Sequence, residues 1–236
     1  MSQAESRRGR KVAARKRNPL VPFYWGVGAL VVLGAAFLIT YVARNTTNGI
    51  TNPALNAPVG RTAEGYWYKG NPDAKVKVIE YGDYQCPTCA SYEKSLGPIV
   101  TRDYVETGKI QFIYHEFPLS GHQHAMPAAE AARCAGDQDK FWAMHDMLFL
   151  NQDQWATLNT VNNVFSGYAG QIGLNRSTFD ACLSAATHSA ALTAAAEDSI
   201  KNGITGTPSF VVNGGAPIET NALPGAIEAA LRAAGQ

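Results

Sequence analysis

Two cysteines separated by two residues, Cys86-Pro87-Thr88-Cys89, stand where an extended run gives way to a helical one, and that junction limits what the chain can fold into. Before it, Val76 to Tyr81 (VKVIEY) has the β-branched, apolar composition of a strand. After it, Ala90 to Val105 alternates apolar and polar residues at helical spacing. The cysteines therefore open a helix. A thiol there meets unpaired backbone N–H groups and the positive end of the helix dipole, and both stabilise a thiolate. Pro87 suits a first turn that needs no N–H, and the short spacing lets the sulfurs close a small disulfide ring. Half of a zinc site is the competing reading, but zinc sites close with a further pair of ligands and the chain has no second C-x-x-C. The pair reads as a redox-active dithiol.

Charge is distributed unevenly over the 236 residues. Seven of the 20 Lys and Arg side chains lie between Arg7 and Arg17, so the remainder is acidic although the whole carries +1. A basic tail without a basic domain argues against nucleic-acid binding and leaves anionic lipid as the tail's natural partner. Residues 20–43 then form an uncharged, mostly apolar stretch with Tyr24, Trp25 and Tyr41 near its ends. About 20 such residues span a bilayer core, and aromatic rings favour its interfaces. A cleaved signal peptide is the alternative, but this stretch exceeds the usual apolar region and no A-x-A site follows. The expected organisation is a basic cytoplasmic tail (1–19), a transmembrane anchor (20–43), a linker rich in Asn, Thr, Pro and Gly (44–64) and an extracytoplasmic domain (65–236). Basic residues before the anchor place the N-terminus in the cytoplasm.

Within that domain, Tyr66 to Tyr68 and Lys109 to Phe117 are further candidate strands, and Pro98 should kink or restart the first helix. Ala125 to Asn202 reads almost wholly as helix, with Asn175 and Ser177 as candidate N-caps. Phe210 to Asn213 is a strand, Gly214-Gly215 a hairpin turn and Ala216 to Glu219 its partner strand, before a closing helix over Leu223 to Ala234.

VIEYGDYQCPTC, HEFPL, CA…FW.MHDMLF and GITGTPSFVVNG together resemble the DsbA-like thiol:disulfide oxidoreductases of the thioredoxin superfamily, in particular membrane-anchored bacterial members, over roughly Tyr66 to Ala234. The resemblance implies an α/β thioredoxin fold with an inserted helical domain (about 122–202), here preceded by a single transmembrane helix. It makes Cys86 the exposed attacking sulfur and Cys89 its buried partner. Pro87 and Thr88 occupy the positions that tune their redox potential. The best-known periplasmic oxidases carry histidine where this chain has Thr88, so a potential between roughly −120 and −270 mV is expected. Thr207-Pro208 matches the family's cis-proline loop facing the disulfide; read alone, it is an ordinary turn proline. Glu80 stands at the position of a buried acid that accepts the Cys89 proton; read alone, it is a strand residue pointing to solvent.

Cys134 and Cys182 fall on separate candidate helices, and an even cysteine count in an exported domain favours a disulfide over two buried thiols. His122 and His124, with His115 nearby, have a donor spacing, but without a local Cys or acidic partner they read as surface residues, and no metal or cofactor is expected. Phe141, Trp142, Met144, Met147, Leu148 and Phe149 read as helix core. The expected activity is donation of the Cys86–Cys89 disulfide to exported proteins bearing cysteine thiols, followed by reoxidation through a quinone-linked membrane partner that the family implies. A reductase or isomerase using the same residues, and a tethered peptide-binding or chaperone module with a structural C-x-x-C, are the alternatives.

Overall fold

The central strands lie almost wholly in the core. In the computed structural model, which describes residues 56–236 and, before them, only Gly34, they are β3 (Val76–Gly82) and β4 (Ile110–Glu116), and every residue of β4 is buried. They run parallel, with Val76 opposite Ile110 and Gly82 opposite Glu116. Parallel strands are covered on both faces, which accounts for burial at nearly every position, including the polar Glu80, Gln111, His115 and Glu116. Antiparallel partners flank them. β1 (Val59–Arg61) and β2 (Trp67–Gly70) extend the β4 side and β5 (Ser209–Val212) the β3 side, giving the order β1-β2-β4-β3-β5.

The crossover from β3 to β4 begins with α1 (Pro87–Ser95), which carries the cysteines, and restarts as α2 (Gly97–Val100) before a π turn over Thr101–Val105. Pro98 lies in the first turn of α2, where its missing N–H costs nothing, so the proline restarts the helix as expected. A helical block follows β4: α3 (Ala125–Gly136), α4 (Phe141–Leu150), α5 (Gln152–Trp155), α6 (Asn162–Gln171), α7 (Arg176–Ala185) and α8 (Ser189–Lys201). Of the two candidate caps for α7, Asn175 does the capping, its side chain accepting the Thr178 N–H at 3.1 Å; Ser177 lies inside the helix. The chain closes with α9 (Leu223–Ala233), whose Leu223, Ile227 and Leu231 form one buried stripe.

Period-two alternation sends Val76, Val78 and Glu80 to the same face of β3, and on that face α1, α4 and α9 pack. The opposite face, with Ile79 and Tyr81, meets Phe117, Ile204 and Val211 and is covered in part by α8 through Ala196. Two links join the helical block to itself and to the sheet. A disulfide connects Cys134 on α3 to Cys182 on α7, closing a separation of 48 residues. In the chain-entropy account such a loop contributes roughly 4 kcal/mol before strain is subtracted. Arg133, next to Cys134, donates to both Glu116 carboxylate oxygens at 2.7 and 2.9 Å, and both side chains are buried.

Two boundaries differ from the sequence expectation. β1 lies inside the stretch read as linker, so the folded domain begins by Val59 rather than at 65. Its three residues are mostly exposed and carry no apolar alternation, and pairing with β2 alone makes them a strand. The hairpin partner over Ala216 to Glu219 is reduced to one bridge, Ile218 with Phe210. The next ladder bond would come from Ala216 to Val212, but the Val212 carbonyl already accepts the Gly215 N–H of the turn at 3.0 Å. Among the described residues no helix is long and apolar enough to cross a membrane. The basic tail, the expected anchor 20–43 and the linker up to residue 55 lie outside the described residues, apart from Gly34.

Candidate active site

Cys86 is the N-cap residue of α1, in extended conformation, with Pro87 in the first helical turn. Its sulfur therefore faces the open N–H groups of that turn. Thr88 Oγ1 lies 2.9 Å from Cys86 Sγ and donates to the Thr207 carbonyl at 3.0 Å. The same carbonyl is 3.3 Å from Cys86 Sγ. The Thr207-Pro208 bond is cis, and the loop that holds it lies against the dithiol. Sequence reading makes Cys86 an exposed sulfur. The structure corrects this, because the 207–208 loop covers it and leaves the residue 6% exposed, against 0% for Cys89. Pro87 and Thr88 are the exposed members of the motif.

The two thiols, free in the structure, are driven apart electrostatically. A hydrogen bond from the Cys89 thiol is the largest influence on Cys86, with help from Thr207, Thr88 and the Cys89 backbone N–H. Against the opposing cost of burial, these bring it from 9.0 down to about 4. Burial pushes Cys89 well up, and so do its bond to Cys86 and the charge of Glu80. The Cys86 sulfur is thereby favoured as a thiolate at neutral pH and the Cys89 sulfur as a thiol.

Glu80 is fully buried beneath Cys89, on the strand face that Val76 and Val78 fill with hydrocarbon. Burial, followed by the nearby Glu93 charge, holds its carboxyl well above the usual range. Neither Glu80 oxygen has a hydrogen-bond partner among the described residues. Burial also raises Glu93, but the charges of His145 and Lys69 outweigh it and leave Glu93 lowered. His145 Nε2 lies 3.3 Å from Glu93 Oε1, at ion-pair range but off the line of a hydrogen bond. The Lys69 ammonium is held over the rings of Trp142 and Phe112, at 4.7 and 5.0 Å. Two like charges in one dry site are not both tolerated, so one proton resides on the pair, and it sits on Glu80. A Cβ at Gly97 would come within 2.9 Å of Glu93 Oε2, so glycine is what lets α2 lie over this carboxylate.

Glu93 and His145 do not figure in the sequence reading. Glu93 follows Cys89 by one helical turn, a spacing that places both on one face. His145 gives no comparable signal, because it sits inside the apolar run of α4. Replacing Glu80 with glutamine keeps the shape and removes the proton carrier. Release of a mixed disulfide by Cys89 should then slow by about 10²-fold, while thermal stability is retained. Rapid-quench analysis of single turnovers measures the first effect and thermal unfolding the second.

Asp83 and Gln85 hold the loop that presents Cys86. Asp83 accepts from the N–H groups of Gln85 and Leu119 at 2.7 and 3.0 Å, and its Oδ2 lies 2.7 Å from His122 Nδ1. The acidic partner missing from the local sequence around His122 is thus supplied from 39 residues away. His124 instead pairs with the Leu158 carbonyl and His115 with Asp198, so the three histidines of the metal reading face different partners. From the helical block, Gln152 Nε2 donates to the carbonyls of Tyr84 and Cys86 at 2.7 and 2.9 Å. Gln85 Nε2 donates in turn to the Ala156 carbonyl at 2.8 Å.

A family model described as thioredoxin matches residues 62–231. The chain is 32% identical over 146 residues to a putative protein-disulfide oxidoreductase of Rickettsia bellii, a match covering 61% of this chain and 56% of that protein. It is 33% identical over 147 residues to Na(+)/H(+) antiporter NhaA 1 of Salinispora arenicola, covering 62% of this chain and 21% of the antiporter. The matches thus span about half or less of these relatives. Among solved structures, oxidised BdbD from Bacillus subtilis superposes with a TM-score of 0.66 at 24% identity, covering 75% of this chain and 98% of that one. That likeness is one of fold, an α/β sheet with a helical insertion.

Proposed function

Since the chain belongs to the thioredoxin family, we propose that it is a DsbA-type thiol:disulfide oxidoreductase, held to a membrane by residues 20–43, which passes a Cys86–Cys89 disulfide to exported proteins. One observation carries the reading: Cys86 caps α1 against Thr88 and the cis Thr207-Pro208 loop, while Cys89 lies fully buried on the same side of the sheet as Glu80. In the oxidised pair, a substrate thiolate attacks Cys86 Sγ and breaks the Cys86–Cys89 bond, so that Cys89 leaves as thiolate and takes a proton from Glu80. Glu80 then takes the proton back when Cys89 must attack the mixed disulfide and free the bonded partner. If the substrate's own second thiolate attacks instead, the substrate leaves oxidised and Cys86 leaves as its stabilised thiolate.

Direction follows from the same asymmetry. A low Cys86 value stabilises the dithiol and makes the disulfide an oxidant. The reoxidant on this reading is the quinone-linked membrane partner that the family resemblance implies. Names of the relatives support the chemistry, since the Rickettsia bellii protein is described as a protein-disulfide oxidoreductase. The uncharged stretch 20–43 supports the tether.

The test is a pair of trapping variants expressed in cells. Cys89→Ser should accumulate mixed disulfides with exported proteins, because the resolving sulfur is gone, and these should sediment with membranes. Cys86→Ser should accumulate none. Equal trapping by both, or by neither, contradicts the assignment, and trapped species in the soluble fraction contradict the tether. A potential at or below roughly −270 mV reverses the direction and makes the protein a reductase.

A further inference from the structure

We propose that Glu130, Cys134, Cys182 and His188 form a redox-gated metal site, which takes a zinc-class ion when the Cys134–Cys182 disulfide is reduced. This site lies in the helical block and does not depend on the chemistry assigned to Cys86 and Cys89. Glu130 and Cys134 are one turn apart on α3 and share a face. Cys182 lies in the last turns of α7, and Ala186, in left-handed conformation at φ 48°, turns the chain back so that His188 meets them. A ligand atom from each of the four side chains lies within 4.8 Å of all the others. Ligand bonds of about 2.0 to 2.3 Å around a tetrahedral ion put neighbouring ligand atoms about 3.3 to 3.8 Å apart, a distance that side-chain rotation reaches from here.

The donor set selects the ion. Two thiolates, an imidazole and a carboxylate suit zinc and disfavour magnesium or calcium, which take oxygen ligands. Glu130 is buried, and its Oε1 accepts the His188 backbone N–H at 2.6 Å, which already fixes the carboxylate beside the sulfurs. Asp137 Oδ2, 2.7 Å from His188 Nε2 and 3.9 Å from Cys182 Sγ, would hold the ring by that nitrogen and leave Nδ1 for the ion, as carboxylates do for metal-bound histidines. The bond from His188 to Glu130 also has a plain structural use at the start of α8, and the disulfide alone staples α3 to α7. The new element is that the same place holds a second staple for the reduced state.

The chemistry balances. An external dithiol attacks the disulfide at Cys182, the more exposed sulfur, and supplies two electrons and two protons while it is itself oxidised to a disulfide. The ion then displaces both thiol protons to solvent and forms two metal–sulfur bonds. Reoxidation by a disulfide acceptor returns the S–S bond and releases the ion.

The experiment uses the full-length protein with Cys86→Ser and Cys89→Ser, so that the only remaining thiols are these two. After reduction by a phosphine and its removal, equimolar cobalt(II) should give a thiolate-to-cobalt charge-transfer band with the visible bands of tetrahedral cobalt, and zinc should abolish both. The oxidised protein should give neither. His188→Ala and Glu130→Gln should each weaken cobalt binding by about tenfold or more. If reduction loosens the helical block, zinc should restore its resistance to protease. Absence of the band, unchanged affinity in both variants, or a loosened block that zinc does not restore would each overturn the proposal.

Discussion

Reduced protein treated with iodoacetamide across a pH series should lose its Cys86 thiol with a midpoint near pH 4, while Cys89 stays unreacted throughout the neutral range. Cys86 starts from 9.0 and is lowered to about 4, first by the Cys89 thiol and then by hydrogen bonding at Thr207 and Thr88, against the cost of burial. A group depressed by folding stabilises the state that carries it. That contribution to the reduced form is complete above the unfolded value of 9.0, shrinks as pH falls towards about 4, and is absent below it. Cys89 is raised by burial and begins to subtract only above the free-thiol value, so it leaves this window unchanged. The reduced form should therefore gain on the oxidised form in melting temperature between pH 4 and pH 9, and lose that gain on acidification. Thr88→Val removes the hydroxyl 2.9 Å from the sulfur and should move the alkylation midpoint upward. A midpoint near 9 in the unaltered protein would show that the helix end does not stabilise the thiolate.

Arg133→Ala should lower stability by about 3 to 5 kcal/mol, read as a fall in the urea midpoint at unchanged slope. The guanidinium makes a two-pronged contact with Glu116, and both side chains are almost out of reach of water. Removing one partner strands the other as a buried, unpaired charge, which costs far more than the pair contributes. Arg133→Met combined with Glu116→Leu removes both charges at similar volume and should recover most of the loss. If the single variant costs less than about 1 kcal/mol, solvent reaches Glu116 and the pair does not hold α3 to the sheet.

How much of this was legible in advance depends on the range of the forces involved. Alternation along VKVIEY puts Glu80 on the face of Val76 and Val78, but which face is buried depends on what packs against it, so the burial of Glu80 was not legible in the segment itself. Helix limits in the insertion were readable because capping and apolar spacing act within a few residues, as at Asn175 and over Phe141 to Leu150. β1 was not, since three mostly exposed residues become a strand only by pairing with β2. The family resemblance placed the Thr207-Pro208 loop against the dithiol from 121 residues away, but it did not disclose that this loop leaves Cys86 buried. Glu93 lay within reach of helical spacing from Cys89. His145 did not, for an apolar run does not disclose which of its members faces a carboxylate.

The contacts of Gln152 and Gln85 bear on whether this domain comes apart into modules. An insertion is commonly pictured as an accessory that can be trimmed to leave an ancestral core. Here the insertion supplies the amide that braces the carbonyls of Tyr84 and Cys86, and the Ala156 carbonyl that tethers Gln85. A minimised protein retaining only the sheet, α1 and α9 would keep both cysteines but lose the brace that fixes Cys86 at the helix end. Grafting the Cys86–Cys89 motif onto a smaller scaffold meets the same obstacle. The part that reacts and the part that steadies it lie on opposite sides of the insertion boundary, so residues 59–233 present Cys86 as one unit.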